Sequence, residues 1–165
     1  MPDIRVVQTV TDLEGVTLDW LLTPMGQLDD TQQLATAAIV AVGTDRRANP
    51  DDPLPDPRDD DRRGWWGDLD AETIWQGWPI GSRLWLLARS KIVDGASRGG
   101  STLAKVETYV RESLQPFVKA KIASRITVAA ARTGIDRISA TAVIYRGPLS
   151  AIELRFQGIW TEVAG

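Results

Sequence analysis

Three successive segments near the C-terminal end of the chain alternate apolar and polar residues, so that every second side chain is apolar. The apolar positions are Ile126, Val128 and Ala130, then Ile138, Ala140, Ala142 and Ile144, and then Ile152, Leu154, Phe156 and Trp160. A period of two is expected of strands that bury one face. Because only residues 133–136 and 146–149 separate the segments, and the second gap holds a Gly-Pro pair, we predict an antiparallel meander.

The segment before these strands carries its apolar residues at spacings of three and four instead. They are Leu103, Val106, Val110, Leu114 and then Phe117 or Val118. This spacing predicts an amphipathic helix, with Glu107 and Glu112 as exposed carboxylates on its polar side. Pro116 lacks the amide hydrogen that a helix interior needs, so we expect the helix to end or kink near Gln115.

Two further elements are predicted in the N-terminal part. Residues 16–22 alternate apolar and polar positions and indicate a strand. Asp30 or Thr31 is placed to cap a helix from Gln32 to Val42 that ends at Gly43. Helices packed on the apolar face of the meander give an α+β fold, with one domain over residues 1–165.

The middle of the chain differs in composition from both ends. Residues 44–63 hold seven Asp, four Pro and five Arg, so we predict a surface loop inserted into the domain. Ser82 is placed to cap a short helix through Arg89, and the glycines at 95–100 indicate a flexible connection. An aromatic stretch separates loop and helix and comprises Trp65, Trp66, Trp75, Trp78 and Trp85.

The composition excludes several classes of function. The net charge of -3 argues against a nucleic-acid-binding protein, since neutralising phosphates needs clustered Lys and Arg. The absence of Cys and His removes thiol nucleophiles, thiolate metal sites, and the commonest metal ligand and general base. No stretch reads as a secretion signal or a bilayer span, so we expect no membrane contact and synthesis in the cytoplasm.

The aspartates of residues 44–63 offer oxygen ligands for Ca²⁺ or a carboxylate pair for glycoside hydrolysis. Their spacing fits neither, because the turn Gly and closing Glu of a calcium loop are missing, and the interleaved Pro and Arg favour a solvated or partner-contacting loop. A serine nucleophile would need a lysine base here, and no such pairing stands out. The glycines at 95–100 lack the Gly-Lys-Ser/Thr ending of a phosphate-binding loop. We expect no catalytic residue, cofactor or metal.

The tryptophans admit two interpretations. Exposed aromatic side chains stack on sugars or peptides, whereas a chain with two Phe and two Tyr needs some Trp in its core. Trp85, among leucines, is predicted to be buried. Trp65 and Trp66, flanked by glycines at the end of the polar loop, are either buried or in contact with a partner, because aromatic residues are enriched at interface centres.

Three ordered blocks make the middle of the chain specific. They are Thr44-Asp45-Arg46-Arg47-Ala48, Arg63-Gly64-Trp65-Trp66-Gly67-Asp68 and Gly81-Ser82-Arg83-Leu84-Trp85-Leu86-Leu87. In this order they closely resemble the gene-product-forty-six family of Mu-like phages and prophages. The resemblance is strong over residues 34–90 and compatible from there to the C-terminus.

That resemblance implies a structural role in the baseplate of a contractile tail, whether of an infectious phage or of a phage-derived machine. The family is similar to small baseplate-wedge proteins, often labelled lysozyme-like, that initiate the tail sheath and offer a sheet edge to its extended arms. Implied partners are other wedge proteins and the sheath protein, with several copies in each particle. The wider group often carries Glu-Pro-Arg before a strand; here Ala123-Ser124-Arg125 stands there, so only Arg125 carries over.

The residues proposed for the partner interface are arginines and tryptophans, which dominate desolvated contacts. They are Arg46, Arg47, Arg63, Trp65, Trp66, Arg83 and Arg125. The arginines of the three blocks have a rival role, in which they pair with loop aspartates and hold the loop against the domain. The rival for Arg125 is an ordinary strand-edge arginine in water.

Two other functions remain open from the sequence. A peptidoglycan-degrading enzyme is suggested by the lysozyme-like label of the related proteins, although it needs two carboxylates across a cleft, one of them with a raised pKa. A carbohydrate-binding module would use the tryptophan-rich stretch.

Overall fold

The computed structural model describes residues 6–11, 15–20, 22–27, 33–66, 68, 73, 77, 80–88, 101–134 and 137–161. Several sequence predictions lie outside these residues. They are the cap at Asp30 or Thr31, the environments of Trp75 and Trp78, the end of the short helix at Arg89, and the connection at 95–100.

The N-terminal part consists of a hairpin and a helix. Strands β1 (Val6–Thr11) and β2 (Gly15–Trp20) pair antiparallel, and helix α1 spans Gln33–Gly43. The predicted strand and helix are therefore confirmed. Strand β1 was not predicted, because its residues, VVQTVT, do not alternate apolar and polar positions.

Helix α2 (Thr102–Lys119) is the amphipathic helix that the spacing predicts. The Ser101 hydroxyl accepts a hydrogen bond from Ala104 N, 3.1 Å away, and caps its first turn. Val106, Val110 and Leu114 are fully buried, as expected of an inward-facing stripe.

The helix does not end at Gln115, so that alternative of the prediction is wrong. It continues through the buried Pro116 to Lys119, and Ala120 N donates to Pro116 O at 2.9 Å. A proline removes a single backbone donor, and near the end of a helix this loss affects one bond rather than the whole turn.

The predicted meander is confirmed. Strands β3 (Arg125–Arg132), β4 (Arg137–Arg146) and β5 (Leu149–Thr161) form an antiparallel sheet in that order. Every second residue of β4 is buried, and these residues are Ile138, Ala140, Ala142 and Ile144. They form one core with α1, α2 and Phe156 of β5, so the predicted α+β single domain is confirmed.

A 3-10 helix, Leu84–Leu87, lies between the two long helices. The prediction that Ser82 caps a helix here is wrong, because Arg83 occupies the cap position without a side-chain bond. The buried Ser82 hydroxyl instead donates to Val42 O at 2.7 Å. Among the described helices, none is long and apolar enough to cross a bilayer.

Candidate functional site

The first and third sequence blocks are joined directly by backbone hydrogen bonds. Asp45 and Ser82 form a parallel bridge in which Ser82 N donates to Thr44 O at 2.8 Å and Arg46 N donates to Ser82 O at 3.0 Å. The chain therefore leaves α1 and pairs at once with the segment that leads into the 3-10 helix. This pairing fixes the beginning of the 44–63 segment on the domain.

Gly81 makes this close approach possible. Its φ is +100°, and a Cβ there would lie 2.6 Å from Thr44 O and 2.8 Å from Arg46 N. Both atoms belong to the backbone and cannot rotate away. Gly81, the first residue of the third block, must therefore be a glycine, because the backbone of the first block leaves no room for a Cβ.

The second block contacts both of the others through Arg63. Its Nη1 lies 2.7 Å from Asp45 Oδ2, and its guanidinium carbon lies 4.7 Å from the centre of the Trp85 ring. Arg63 has φ +50°, and its N–H donates to Asp61 Oδ1 at 2.8 Å. Ionic, cation-π and local backbone contacts together hold this arginine over the third block.

Trp85 is the buried centre of the three blocks. It is 9% exposed, and its Nε1–H donates to Arg46 O at 2.8 Å. It packs with Ala48 and Leu86 in a small apolar cluster separate from the main core. The predicted burial of Trp85 is confirmed, and its indole nitrogen has the hydrogen-bond partner that burial demands.

Trp65 and Trp66 lie at the outer side of this arrangement. Their ring centres are 4.9 Å apart with the planes tilted by 47°. Trp65 is half-buried, while Trp66 is 78% exposed. Trp65 N donates to Asp68 Oδ2 at 3.2 Å and Asp68 N donates to Trp65 O at 2.9 Å, so a tight turn holds the pair. We call Trp65 and Trp66 the tryptophan pair.

A sequence model of the family described as Phage protein GP46 matches residues 34–149 of the chain. The chain belongs to this family. Baseplate protein gp46 of Escherichia phage Mu is 42% identical to it over 97 residues, which are 59% of this chain and 59% of the Mu protein. The match thus spans less than two thirds of the Mu protein's length. The resemblance to Mu-like proteins predicted from the three blocks is confirmed.

Among the arginines of this GP46 family member, Arg83 has an internal role. Its Nη1 lies 3.0 and 2.7 Å from the two carboxylate oxygens of Asp52, and its Nη2 lies 2.5 Å from Glu112 Oε2. The guanidinium also lies over the Tyr109 ring at 4.9 Å, and the side chain is only 11% exposed. Arg83 therefore joins the 44–63 segment to α2, which is the rival role left open by the sequence.

The charge of Asp52 is tied to this contact. Burial of its carboxyl favours the neutral form, but hydrogen bonds from Arg83 and from Asn49 N, together with the charges of Arg83 and Arg62, outweigh burial. They hold the pKa of Asp52 below its usual value. We call Arg83, Asp52 and Glu112 the arginine clamp.

The prediction that Glu107 and Glu112 are exposed carboxylates is wrong. Both residues are half-buried. Glu112 belongs to the arginine clamp, and Glu107 Oε1 accepts a hydrogen bond from Ala130 N on β3 at 2.9 Å. The sequence places both on the flank of the helix, but their partners lie far away in the chain. This is why periodicity alone could not assign them.

The remaining aspartates of residues 44–63 mostly bond within the segment. Asp56 Oδ1 accepts from Arg58 N at 3.0 Å, and Asp59 Oδ1 accepts from Asp61 N at 3.0 Å. Such bonds are typical of turns in solvated loops. Within the described part of the chain, no three acidic side chains are grouped so as to hold a metal ion.

The structure brings most of the proposed interface residues together but separates one. Arg46 and Arg47 flank the blocks' junction, where Arg46 is half-buried and Arg47 is exposed. The side chain of Arg63 is 47% exposed despite its contacts. Arg125, in contrast, begins β3 and lies over the Tyr145 ring at 4.1 Å. Of the proposed residues in the blocks, Arg47, Arg63 and Trp66 are thus the exposed ones, with the half-buried Trp65 against Trp66.

Proposed function

We propose that this chain is a structural subunit of a phage tail baseplate and acts through protein-protein contacts rather than catalysis. The observation that carries the proposal is the tryptophan pair, in which Trp66 is 78% exposed and the backbone of Trp65 is held by the turn to Asp68. A large exposed aromatic side chain on a rigid support has the properties of an interface anchor. The name of the Mu relative, Baseplate protein gp46, agrees with this role.

The proposed contact surface comprises Arg46, Arg47, Arg63 and the tryptophan pair, with Arg125 as a separate contact at the start of β3. Arg83 supports this surface from below, because the arginine clamp holds the segment that carries it. We further propose that residues 44–63 act as an insertion that faces neighbouring proteins.

The proposed partners are other baseplate wedge proteins and the first ring of the tail sheath, the latter joined by addition of a strand to the sheet. The protein would be assembled in the host cytoplasm and be present in several copies in the virion tail. Among the described strands, β3 and β5 are the edges of the three-stranded sheet, and such edges offer outward backbone donors and acceptors for pairing, apart from Ala130 N of β3, which bonds to Glu107.

A peptidoglycan-degrading activity is the alternative, and the arginine clamp argues against it. Asp52 and Glu112 are brought near each other by a shared arginine. A glycosidase general acid needs a raised pKa, whereas the pKa of Asp52 is lowered. We therefore propose that Asp52 and Glu112 are not a catalytic pair.

The test is co-purification of the tagged chain from cells that express the neighbouring tail genes, with mass spectrometry of proteins retained after a high-salt wash. Salt removes weak surface pairing. We expect retained baseplate and sheath proteins to be lost in the Trp65→Ala/Trp66→Ala variant. Met25→Ala is the matched control, because Met25 is 83% exposed and apolar but lies outside the three blocks.

Two outcomes would contradict the proposal. One is an unchanged set of retained proteins in the tryptophan variant. The other is peptidoglycan cleavage by the purified chain that disappears in Asp52→Asn or Glu112→Gln. Quenching of tryptophan fluorescence by an oligosaccharide would instead favour the carbohydrate-binding alternative.

A further inference from the structure

Strand β3 is an edge strand of the described sheet, because β4 is its only partner among the strands that the structure describes. In an antiparallel pair, residues that bond to the partner alternate with residues whose backbone groups point away from it. Thr133 N donates to Arg137 O at 3.0 Å and continues the ladder, which places the bonded pairs at odd-numbered residues of β3. The N–H and C=O groups of Ile126, Val128 and Ala130 therefore point to the open edge.

Glu107 closes part of that edge. Its Oε1 accepts the outward-pointing N–H of Ala130 at 2.9 Å. Among the described residues, no group bonds the outward backbone groups of Ile126 and Val128. The edge is therefore open for its first half and occupied by a side chain from α2 at Ala130.

The path of the chain explains why Glu107 reaches this position. Helix α2 ends at Lys119 and β3 begins at Arg125 after a tight reversal, so the two elements run antiparallel. Glu107 lies twelve residues before the helix end, about 18 Å along its axis at 1.5 Å per residue. Ala130 lies five residues into β3, about 17 Å along the strand. The two residues are therefore at the same level.

The central residues of β3 lack the usual protections of an edge strand, and charged side chains occur only at its two ends, Arg125 and Arg132. Such strands are normally kept from pairing with other chains by internal charges, prolines or bulges. Residues 126–131 of β3 contain no charge and no proline, and their register with β4 has no irregularity. The solvent-facing Thr127, Ala129 and Ala131 are small and exposed, so they present no steric obstacle either.

We propose that Glu107 is an edge guard that keeps β3 from pairing with β3 of a second copy of this chain. Two copies related by a two-fold axis would align identical strands whose central residues, 126–131, carry no charge. In one register of this pairing Ala130 faces Ile126 of the second copy, and in another it faces Val128. Both registers need the outward backbone groups of Ala130. A charge-assisted bond already occupies Ala130 N, and its displacement would leave a half-buried carboxylate without that donor.

This inference concerns the isolated chain and does not depend on the proposed baseplate role. The experiment compares the purified full chain with Glu107→Ala and Glu107→Met, which lack an oxygen acceptor, and with Glu107→Gln, whose carbonyl retains one. Glu107→Met keeps the length of the side chain and a high helix propensity, so it carries the test if Glu107→Ala does not fold.

The first measurement is hydrogen exchange of the Ala130 amide in dilute protein. We expect exchange to be at least about tenfold faster in Glu107→Ala and Glu107→Met, which corresponds to one lost bond. The second is sedimentation velocity over a hundredfold range of concentration. Both variants should form a dimer or larger species at concentrations where the wild type and Glu107→Gln do not.

Adding Ala129→Lys to the Glu107→Ala variant should reverse its self-association, because a lysine in the middle of the edge strand opposes pairing. Unchanged exchange at Ala130 would show that the bond protects nothing. Faster exchange without any self-association would show that the bond exists but guards no edge. Either result overturns the proposal, as would self-association that Ala129→Lys leaves unaltered.

Discussion

Arg83 and Asp52 are thirty-one positions apart in sequence and are joined by two hydrogen bonds, 2.7 and 3.0 Å long, from one guanidinium nitrogen to both carboxylate oxygens. Through Glu112, the same arginine is also bonded to α2. The 44–63 segment, which precedes the tryptophan pair, is thus attached to the core by a charged contact that is largely withdrawn from solvent. The stability of the whole site should depend on it.

Replacing Arg83 by Met should lower the free energy of unfolding by about 2–3 kcal/mol, because Asp52 would keep a poorly solvated charge without its cation. Urea denaturation measures this change. Arg47→Met is the matched control, since Arg47 is exposed, and its effect should stay within about 0.5 kcal/mol. Equal stability of the two variants would show that the arginine clamp is not stabilising.

The arginine clamp also predicts how stability depends on pH. The pKa of Asp52 is lower in the folded chain than its ordinary value of 3.8, so its contribution is complete above about pH 5. It is lost as the pH falls through the folded-state pKa. The difference in unfolding free energy between wild type and Asp52→Asn should therefore be constant near neutral pH and shrink below about pH 5. A difference that persisted unchanged at pH 2.5 would contradict this.

Gly81→Ala should destabilise the fold by about 2–4 kcal/mol, because its Cβ would meet Thr44 O at 2.6 Å in a strained backbone conformation. Gly147→Ala is the control for the conformation alone. Gly147 has φ +72° with nothing within 4 Å of a Cβ, so about 1 kcal/mol is expected there. Thermal unfolding followed by circular dichroism separates the two variants. Similar losses for both would show that the contact with Thr44 is unimportant.

Removal of the buried Trp85 and of the exposed Trp66 should affect the free energy of unfolding to very different degrees. Trp85→Ala should lower stability by about 3–5 kcal/mol, since it removes a buried ring and the bond to Arg46 O. Trp66→Ala should change stability by less than about 0.5 kcal/mol, because the side chain is 78% exposed. Chemical denaturation of both variants is the measurement. A large loss in Trp66→Ala would mean that its role is internal.

Helix α2 and the meander were predictable because their apolar residues repeat over several turns or strands. The hydrophobic stripe of α2 from Val106 to Phe117 needs no tertiary information, and neither does the alternation of β4. Pro116 misled the prediction, since the cost of one missing donor depends on how close the helix end is. Strand β1 was missed because Val6 and Val7 are adjacent and Gln8 and Thr9 are both polar, so a period of two is absent.

The site was only partly predictable. The three blocks could be recognised in the sequence, yet nothing in it distinguishes the exposed Arg47 from the clamped Arg83. That distinction depends on Asp52 and Glu112, one of which precedes Arg83 in the sequence and the other follows it. Such pairings arise from the fold and have no local signature. The same is true of Glu107, whose partner is a backbone amide on another element.

Hydrogen bonds join the two ends of the 44–63 segment, which we call its neck. Ala48 N donates to Arg62 O at 2.9 Å, and the Arg62 side chain donates to Asn49 O. Leu54, further along, packs against the Trp85 cluster. Beyond these attachments, residues 57–60 are exposed. A fluorophore or epitope placed at 57–60 would therefore be displayed without disturbing the core, whereas a change in length between Ala48 and Leu54 would shift the register of the neck. The tip of the segment is thus a natural position for a reporter label.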